Sequence, residues 1–178
     1  MDLIKNDFIE FIKQRKSVRC FIYKKIDKET ILKILDCGRW APSGNNSQPW
    51  HVCIVIHPTV KRMISELTKD GGIIEEAYVN LVIFLDLEKG YNRVKDIQAI
   101  GAFMQNILLG VHAIEDLGAV WIGEILAKKE QVNEIFKFSN EKYELMGIIA
   151  IGIVDEDREK TREKERNRRS IEDFTDWY

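Results

Sequence analysis

Two short stretches of the sequence carry side chains that suit the binding of a small polar ligand. The first holds Arg15, Ser17 and Arg19 in alternate positions. On an extended segment, residues two apart face the same side, so two guanidinium groups and a hydroxyl would lie together. Guanidinium donors match phosphate oxygens in pairs, and this group therefore favours a phosphate. Taken alone, the same pattern is also common on solvent-exposed faces.

The second stretch runs from Ala41 to Trp50. Pro42 and Pro49 fix the ends of a compact loop, and Gly44 allows the main chain to approach a ligand closely. This density of polar groups exceeds what a turn between a helix and a strand requires. The side chains of the loop that donate or accept hydrogen bonds are Ser43, Asn46 and Gln48.

The surrounding elements alternate loosely between helix and strand. Apolar spacing predicts helices over 7–15, over 27–41 and over 95–117, the last closed by Gly118 as a C-cap. Residues 17–23 alternate as an extended segment does, and apolar runs predict strands over 50–56, 80–86, 119–123 and 145–154. No glycine-rich nucleotide fingerprint follows any of these strands. A mixed sheet covered by helices remains.

Length and charge restrict the class of protein. The 178 residues predict one domain over 1–178, and the net charge of −2 argues against a nucleic-acid partner. The N-terminal residues lack a signal-peptide pattern and no apolar run reaches membrane length, so a cytoplasmic protein is expected. His51, His57 and His112 lack metal-ligand spacing, and no metal site is predicted.

The tail over 155–169 is almost continuous charge, a composition typical of a solvated or disordered extension. Three aromatic side chains nevertheless follow it, namely Phe174, Trp177 and Tyr178. Aromatic residues are unusual in a free tail, and they indicate that the terminus docks on an apolar surface.

The R-x-S-x-R element over 15–19, followed by P-S-x-x-N-x-Q-P-W over 42–50, closely resembles the N-terminal half of nitroreductase-like flavoproteins. Three further segments resemble the same family: 105–109 its central helix, 119–123 the strand end beneath its flavin, and 168–173 its closing element. The resemblance implies an α+β fold with a central mixed, mainly antiparallel sheet covered by helices. It also implies bound FMN and a C-terminal extension that wraps the partner subunit of a homodimer.

Site residues follow from the resemblance position by position. Arg15 and Ser17 would hold the FMN phosphate beside the main chain of Lys16, and Arg168 would reach it from the tail. Arg19 would lie nearer the ribityl chain and the pyrimidine edge of the flavin. The residues expected to approach the cofactor from the partner subunit are Pro42, Ser43, Gly44 and Asn46. Those expected near flavin N5 are Gly123 and Glu124.

The implied reaction is a ping-pong transfer of electrons from NADH or NADPH, through flavin N5, to a nitroaromatic, a quinone or another flavin. No side chain is required as a nucleophile, so no catalytic residue is assigned. Ser170 stands where the family usually has proline, and nothing over 70–76 matches the relatives' further flavin contacts. Two alternatives stay open: another flavin reaction, such as dehalogenation, dehydrogenation or oxygen-dependent flavin breakdown, and a non-catalytic FMN-binding module.

Overall fold

A computed structural model describes residues 2–162 and 166–178, and the side chains from residue 7 onward within those ranges. The described residues form seven α-helices and five strands. The helices are α1 Asp2–Gln14, α2 Lys28–Arg39, α3 Pro58–Ser65, α4 Gly71–Glu76, α5 Arg93–His112, α6 Lys129–Phe136 and α7 Glu156–Arg162. The strands are β1 Phe21–Ile22, β2 Trp50–Val55, β3 Val79–Asp86, β4 Leu117–Ile122 and β5 Tyr143–Val154.

The long strand β5 organises the sheet. It pairs with β1, β3 and β4, and β3 pairs in turn with β2. Every strand pairing that the structure describes is antiparallel. The predicted α+β architecture, with helices over a mainly antiparallel sheet, is confirmed.

Strand β3 is buried along its whole length because helices cover both faces of the sheet. Successive side chains of a strand point to opposite faces, so Leu81 and Ile83 join one apolar core while Val82 and Phe84 join the other. Helix α5 covers the first face, and α3, α4 and α6 contribute to the second. Each fully buried side chain of this size contributes about 1.5–3 kcal/mol. The sheet is therefore a rigid platform for the loops at its edges.

Helix α5 ends earlier than the sequence predicts. Its last residue is His112, and the chain turns at Asp116, whose φ is 62°, before β4 begins at Leu117. Gly118 is therefore a strand residue, and its prediction as a helix cap is wrong. At this position an added Cβ would lie 2.7 Å from Val18, so the glycine allows the N-terminal segment to pack on β4.

The extended segment predicted over 17–23 pairs as a strand only at Phe21–Ile22. The charged tail begins with α7, so its first part is folded rather than solvated coil; residues 163–165 lie outside the described residues. None of the described helices is long and apolar enough to cross a membrane.

Gly147 should be intolerant of a side chain. Its φ of 143° lies in a region that L-residues rarely adopt, and an added Cβ would lie 2.7 Å from Trp121 Nε1. The strand register shifts opposite it, between Ile83 and Phe84. We expect Gly147→Ala to lower the free energy of unfolding by about 1–3 kcal/mol in chemical denaturation.

Gly72→Ala is the matched control, because Gly72 is exposed and an added Cβ there meets nothing within 4 Å. Equal stability of the two variants would contradict this account of Gly147.

Candidate functional site

The N-terminal anion-binding candidate lies where α1 ends. Arg15 follows the last residue of the helix and is half-buried. The guanidinium of Arg166, from the C-terminal tail, donates to the main-chain oxygens of Gln14 at 3.3 Å and of Arg15 at 2.9 Å. The C-terminal tail therefore reaches the main chain at Arg15, through Arg166 and not through the predicted Arg168.

Positive charge is concentrated at this point. Burial lowers the pKa of Arg15, and the charges of Arg166 and then Arg168 lower it further. Arginine keeps its proton under all physiological conditions, so the lowered pKa reports a charged guanidinium that is partly withdrawn from water and is repelled by two like charges. An anion bound among them would relieve this repulsion.

The contacts of Arg166 with Gln14 and Arg15 were not predicted from the sequence. The position of Arg166 two residues before Arg168 repeats the alternate spacing of Arg15 and Ser17, which is the signal that pointed to the first segment. The charged surroundings hid that spacing, because the residues on both sides are also charged or polar. Arg168 itself is exposed, and its guanidinium donates to Asn167 O at 2.9 Å.

The rest of the R-x-S-x-R segment is fixed on the sheet. The N–H of Val18 donates to Ala119 O at 3.0 Å, and the Val18 side chain is buried. Arg19 is exposed, and its guanidinium turns back to donate to Ser17 O at 3.2 Å. Ser17 is half-buried and Lys16 is exposed. Strand β4 thus holds the segment in place while most of its polar side chains stay accessible.

The loop between α2 and β2 has an unusual backbone. Asn45, Asn46 and Gln48 all have φ values near 50°, a left-handed conformation that asparagine tolerates better than most residues. The N–H of Gln48 donates to Ser43 Oγ at 3.0 Å, and its side-chain amide donates to Asn46 Oδ1 at 3.2 Å. Gln48 therefore stabilises the loop, while Pro42 and Ser43 face a groove described next.

A groove of about 280 Å³ runs between this loop and the N-terminal half of α5. Gly44 lies against the ring of Tyr91, which leaves no room for a Cβ. The buried carboxylate of Asp96 accepts from the N–H of Tyr91 at 3.0 Å and so fixes the turn that carries this ring. The groove is lined by Pro42, Ser43, Gly44, Lys95, Gln98, Ala99 and Ala102.

The third candidate group lies beyond the end of β4. Gly123 precedes a short 3₁₀ helix, Glu124–Lys128. Glu124 Oε2 accepts from Thr68 Oγ1 at 2.5 Å and from the N–H of Lys69 at 3.3 Å. The hydrogen bond from Thr68 is the main reason that the pKa of Glu124 is lowered. No sequence pattern singles out Thr68, whose role depends on a contact with Glu124, 56 residues away.

One chain does not bring the first two groups together. Arg15 shares a groove of about 890 Å³ with Leu108 and His112, near the C-terminal end of α5. The loop from Pro42 contacts Gln98, nearer the other end of the same helix. At a rise of about 1.5 Å per residue, Gln98 and His112 lie about 20 Å apart along the axis of α5.

Both the fold and the sequence of this chain are similar to those of known proteins. A crystal structure of a nitroreductase-type protein in complex with FMN from Desulfovibrio desulfuricans superposes with a TM-score of 0.86 and 31% identity, covering 96% of each chain. A protein from Methanothermobacter thermautotrophicus, assigned as an NADH dehydrogenase/NAD(P)H nitroreductase, is 35% identical over 123 residues. That match covers 67% of this chain and 62% of the relative, so the chain spans less than two thirds of that relative's length.

A second relative of the same assigned activity, from Archaeoglobus fulgidus, is 32% identical over 117 residues, which are 65% of this chain and 66% of that protein. The sequence profile of the nitroreductase family matches residues 12–77 and 58–153. These matches include the R-x-S-x-R segment, the loop from Pro42 and the strand end at Gly123. The fold, the placement of these segments and the profile match together show that this chain belongs to the nitroreductase family.

Proposed function

We propose that this chain is an FMN-dependent oxidoreductase, folded as one domain over 1–178, that carries electrons from NADH or NADPH to an oxidised small molecule by a ping-pong mechanism. The names of the relatives support the donor, and the Desulfovibrio structure contains FMN. The acceptor would be a nitroaromatic, a quinone or another flavin. The observation that carries the proposal is that Arg166 of the tail donates to the main chain at Arg15, whose half-buried guanidinium also lies in the field of the Arg166 and Arg168 charges.

These three arginines fit the phosphate of FMN. A phosphate carries negative charge and several acceptor oxygens, and guanidinium groups bind it with paired, charge-assisted hydrogen bonds. The half-buried position of Arg15 strengthens such bonds, because fewer water molecules compete for the donors. Ser17 and the main chain of Lys16 lie in the same segment and complete the candidate phosphate site.

The other end of the cofactor would lie toward Gly123 and Glu124, along β4. When bound, FMN supplies the hydride-accepting ring on which the reaction depends. The contacts of Glu124 with Thr68 and Lys69 fix the main chain at this position. Fixed main-chain N–H groups stabilise negative charge without having to reorient. Arg19, exposed on the segment between the two ends, would add positive charge near the pyrimidine edge.

The loop from Pro42 would act in the partner subunit's cofactor site. Within one chain it lies on another level of α5 from Arg15, so a second copy is needed to place it beside the phosphate-binding segment. We therefore propose a homodimer with shared FMN sites, in which Pro42, Ser43, Gly44 and Asn46 come from the partner.

Exposed apolar side chains support this dimer. In the single chain Trp177 is 98% exposed, and several other large apolar side chains are open to solvent. An apolar surface of this extent normally packs against another chain. The C-terminal extension would accordingly wrap the partner subunit. Such exposed side chains include Phe8, Ile9, Ile12, Trp40, Val94, Ile97, Ile171, Phe174 and Tyr178.

Arg15→Ala should weaken FMN binding. The variant loses charge-assisted hydrogen bonds to the phosphate, which corresponds to a rise in Kd of about 10- to 100-fold. Titration of the apoprotein, followed by quenching of flavin fluorescence, measures the change. Arg62→Ala is the control, because Arg62 is exposed and pairs with Glu66, four residues along the chain. Equal FMN retention by Arg15→Ala and wild type would show that the phosphate lies elsewhere.

The purified protein should show the visible absorption of a flavin, and this absorption should bleach when NADPH or NADH is added without oxygen. Anaerobic absorption spectroscopy makes the measurement. Absorption that persists with both nucleotides but disappears with dithionite would contradict the proposed electron donor. A colourless protein that cannot be reconstituted with FMN would contradict the proposed function as a whole.

A further inference from the structure

We infer that Glu159, on α7, is a positioning residue for the phosphate site, an inference that rests on the proposed function. Its Oε1 atom accepts from the main-chain N–H of Arg19 at 2.5 Å and from that of Cys20 at 2.7 Å. Arg19 is the last residue of the R-x-S-x-R segment, 140 positions before Glu159, and Cys20 follows it. Glu159 itself would not touch the cofactor.

The contact is buried, which makes its loss costly. Glu159 is 9% exposed and Cys20 is 2% exposed. Two consecutive N–H groups that point at one oxygen form an anion-binding concavity, and the carboxylate fills it. Without that acceptor, the N–H of Cys20 would be buried and unpaired, an arrangement that folded proteins avoid. The main chain at 19–20 is therefore expected to move if Glu159 is shortened.

Helix α7 is itself held firmly against the rest of the chain. The guanidinium of Arg158 makes two hydrogen bonds to the carboxylate of Glu76 on α4, at 3.1 and 3.0 Å. The N–H of Asp155, just before the helix, donates to Cys20 O at 3.0 Å. These contacts fix the direction from which the Glu159 carboxylate reaches the segment.

The same tail holds the phosphate-binding segment at both ends. Glu159 binds its main chain at Arg19 and Cys20, and Arg166 binds its main chain at Gln14 and Arg15. Lys16 and Ser17 lie between these two attachments. The geometry that the segment offers to a phosphate therefore depends on α7 at one end, through Glu159, and on Arg166 of the tail at the other.

Charge and contact make opposite contributions at Glu159, which allows them to be separated. The carboxylate is negative, so by charge alone it disfavours a nearby phosphate. By contact it fixes the segment and favours binding. Glu159→Gln removes the charge and keeps an acceptor oxygen, whereas Glu159→Ala removes both.

The experiment compares dissociation constants for FMN and for riboflavin, which lacks the phosphate, using apoprotein and flavin fluorescence. We expect Glu159→Ala to raise the Kd for FMN roughly ten-fold and to leave that for riboflavin within about two-fold. Glu159→Gln should bind FMN as tightly as wild type or more tightly. Glu156→Ala is the control, because Glu156 is an exposed carboxylate on the same helix and pairs with the exposed Lys160.

Three results would overturn the inference: an unchanged Kd for FMN in Glu159→Ala, an equal loss of riboflavin binding, or a Glu159→Gln variant as weak as Glu159→Ala. If circular dichroism shows that Glu159→Ala does not fold, Glu159→Asp carries the same test, since its carboxylate is one methylene too short for both contacts. Wild-type protein that binds neither flavin would contradict the proposed function, and with it this role of Glu159.

Discussion

The guanidinium of Arg166 donates to the main chain of Arg15, although the two residues are 151 positions apart, and the charges of both are held close together as a result. Gathering like charges opposes folding. Burial lowers the pKa of Arg15, and repulsion by Arg166 and Arg168 lowers it further. The apolar cores on both faces of the sheet stabilise the fold enough to hold these groups in place. A negatively charged ligand would offset the repulsion among these arginines, and this is why we propose that this part of the structure binds an anion.

The sheet and α5 set the distances between the parts of the site. Strand β4 begins beside the R-x-S-x-R segment and ends at Ile122, just before Gly123, so it would lead from the charged end of the proposed site to its ring end. Helix α5 covers one face of the sheet. Arg15 lies near its C-terminal end, and the loop that starts at Pro42 lies near its N-terminal half. In the proposed homodimer a complete site would combine residues from two copies of the chain, and the exposed apolar side chains would provide surface for their association.

Local patterns predicted most of the elements, because periodic burial is written directly in the order of apolar residues. The left-handed conformations of Asn45 and Asn46 were not predicted. The buried strand 79–86, the long helix and the turn-rich loop were expected within a few residues of their observed limits. The end of α5 was not, since a turn at Asp116 depends on how β4 must enter the sheet. The contacts of Arg166, Thr68 and Glu159 also escaped prediction. Each joins residues more than 50 positions apart, and single-sequence patterns hold no information on such pairs.

Subunit complementation tests the shared site most directly. Arg15→Ala removes the phosphate contact of one copy, and Gly44→Val displaces the loop that Tyr91 packs against, so each homodimer should hold little FMN. A mixed dimer, isolated through two different affinity tags, would combine the intact Arg15 of one copy with the intact loop of the other. If the two subunits share each site, we expect about one FMN per mixed dimer, half the wild-type content, because one of two symmetric sites is restored. Mixed dimers as empty as both parents would contradict a site shared between subunits.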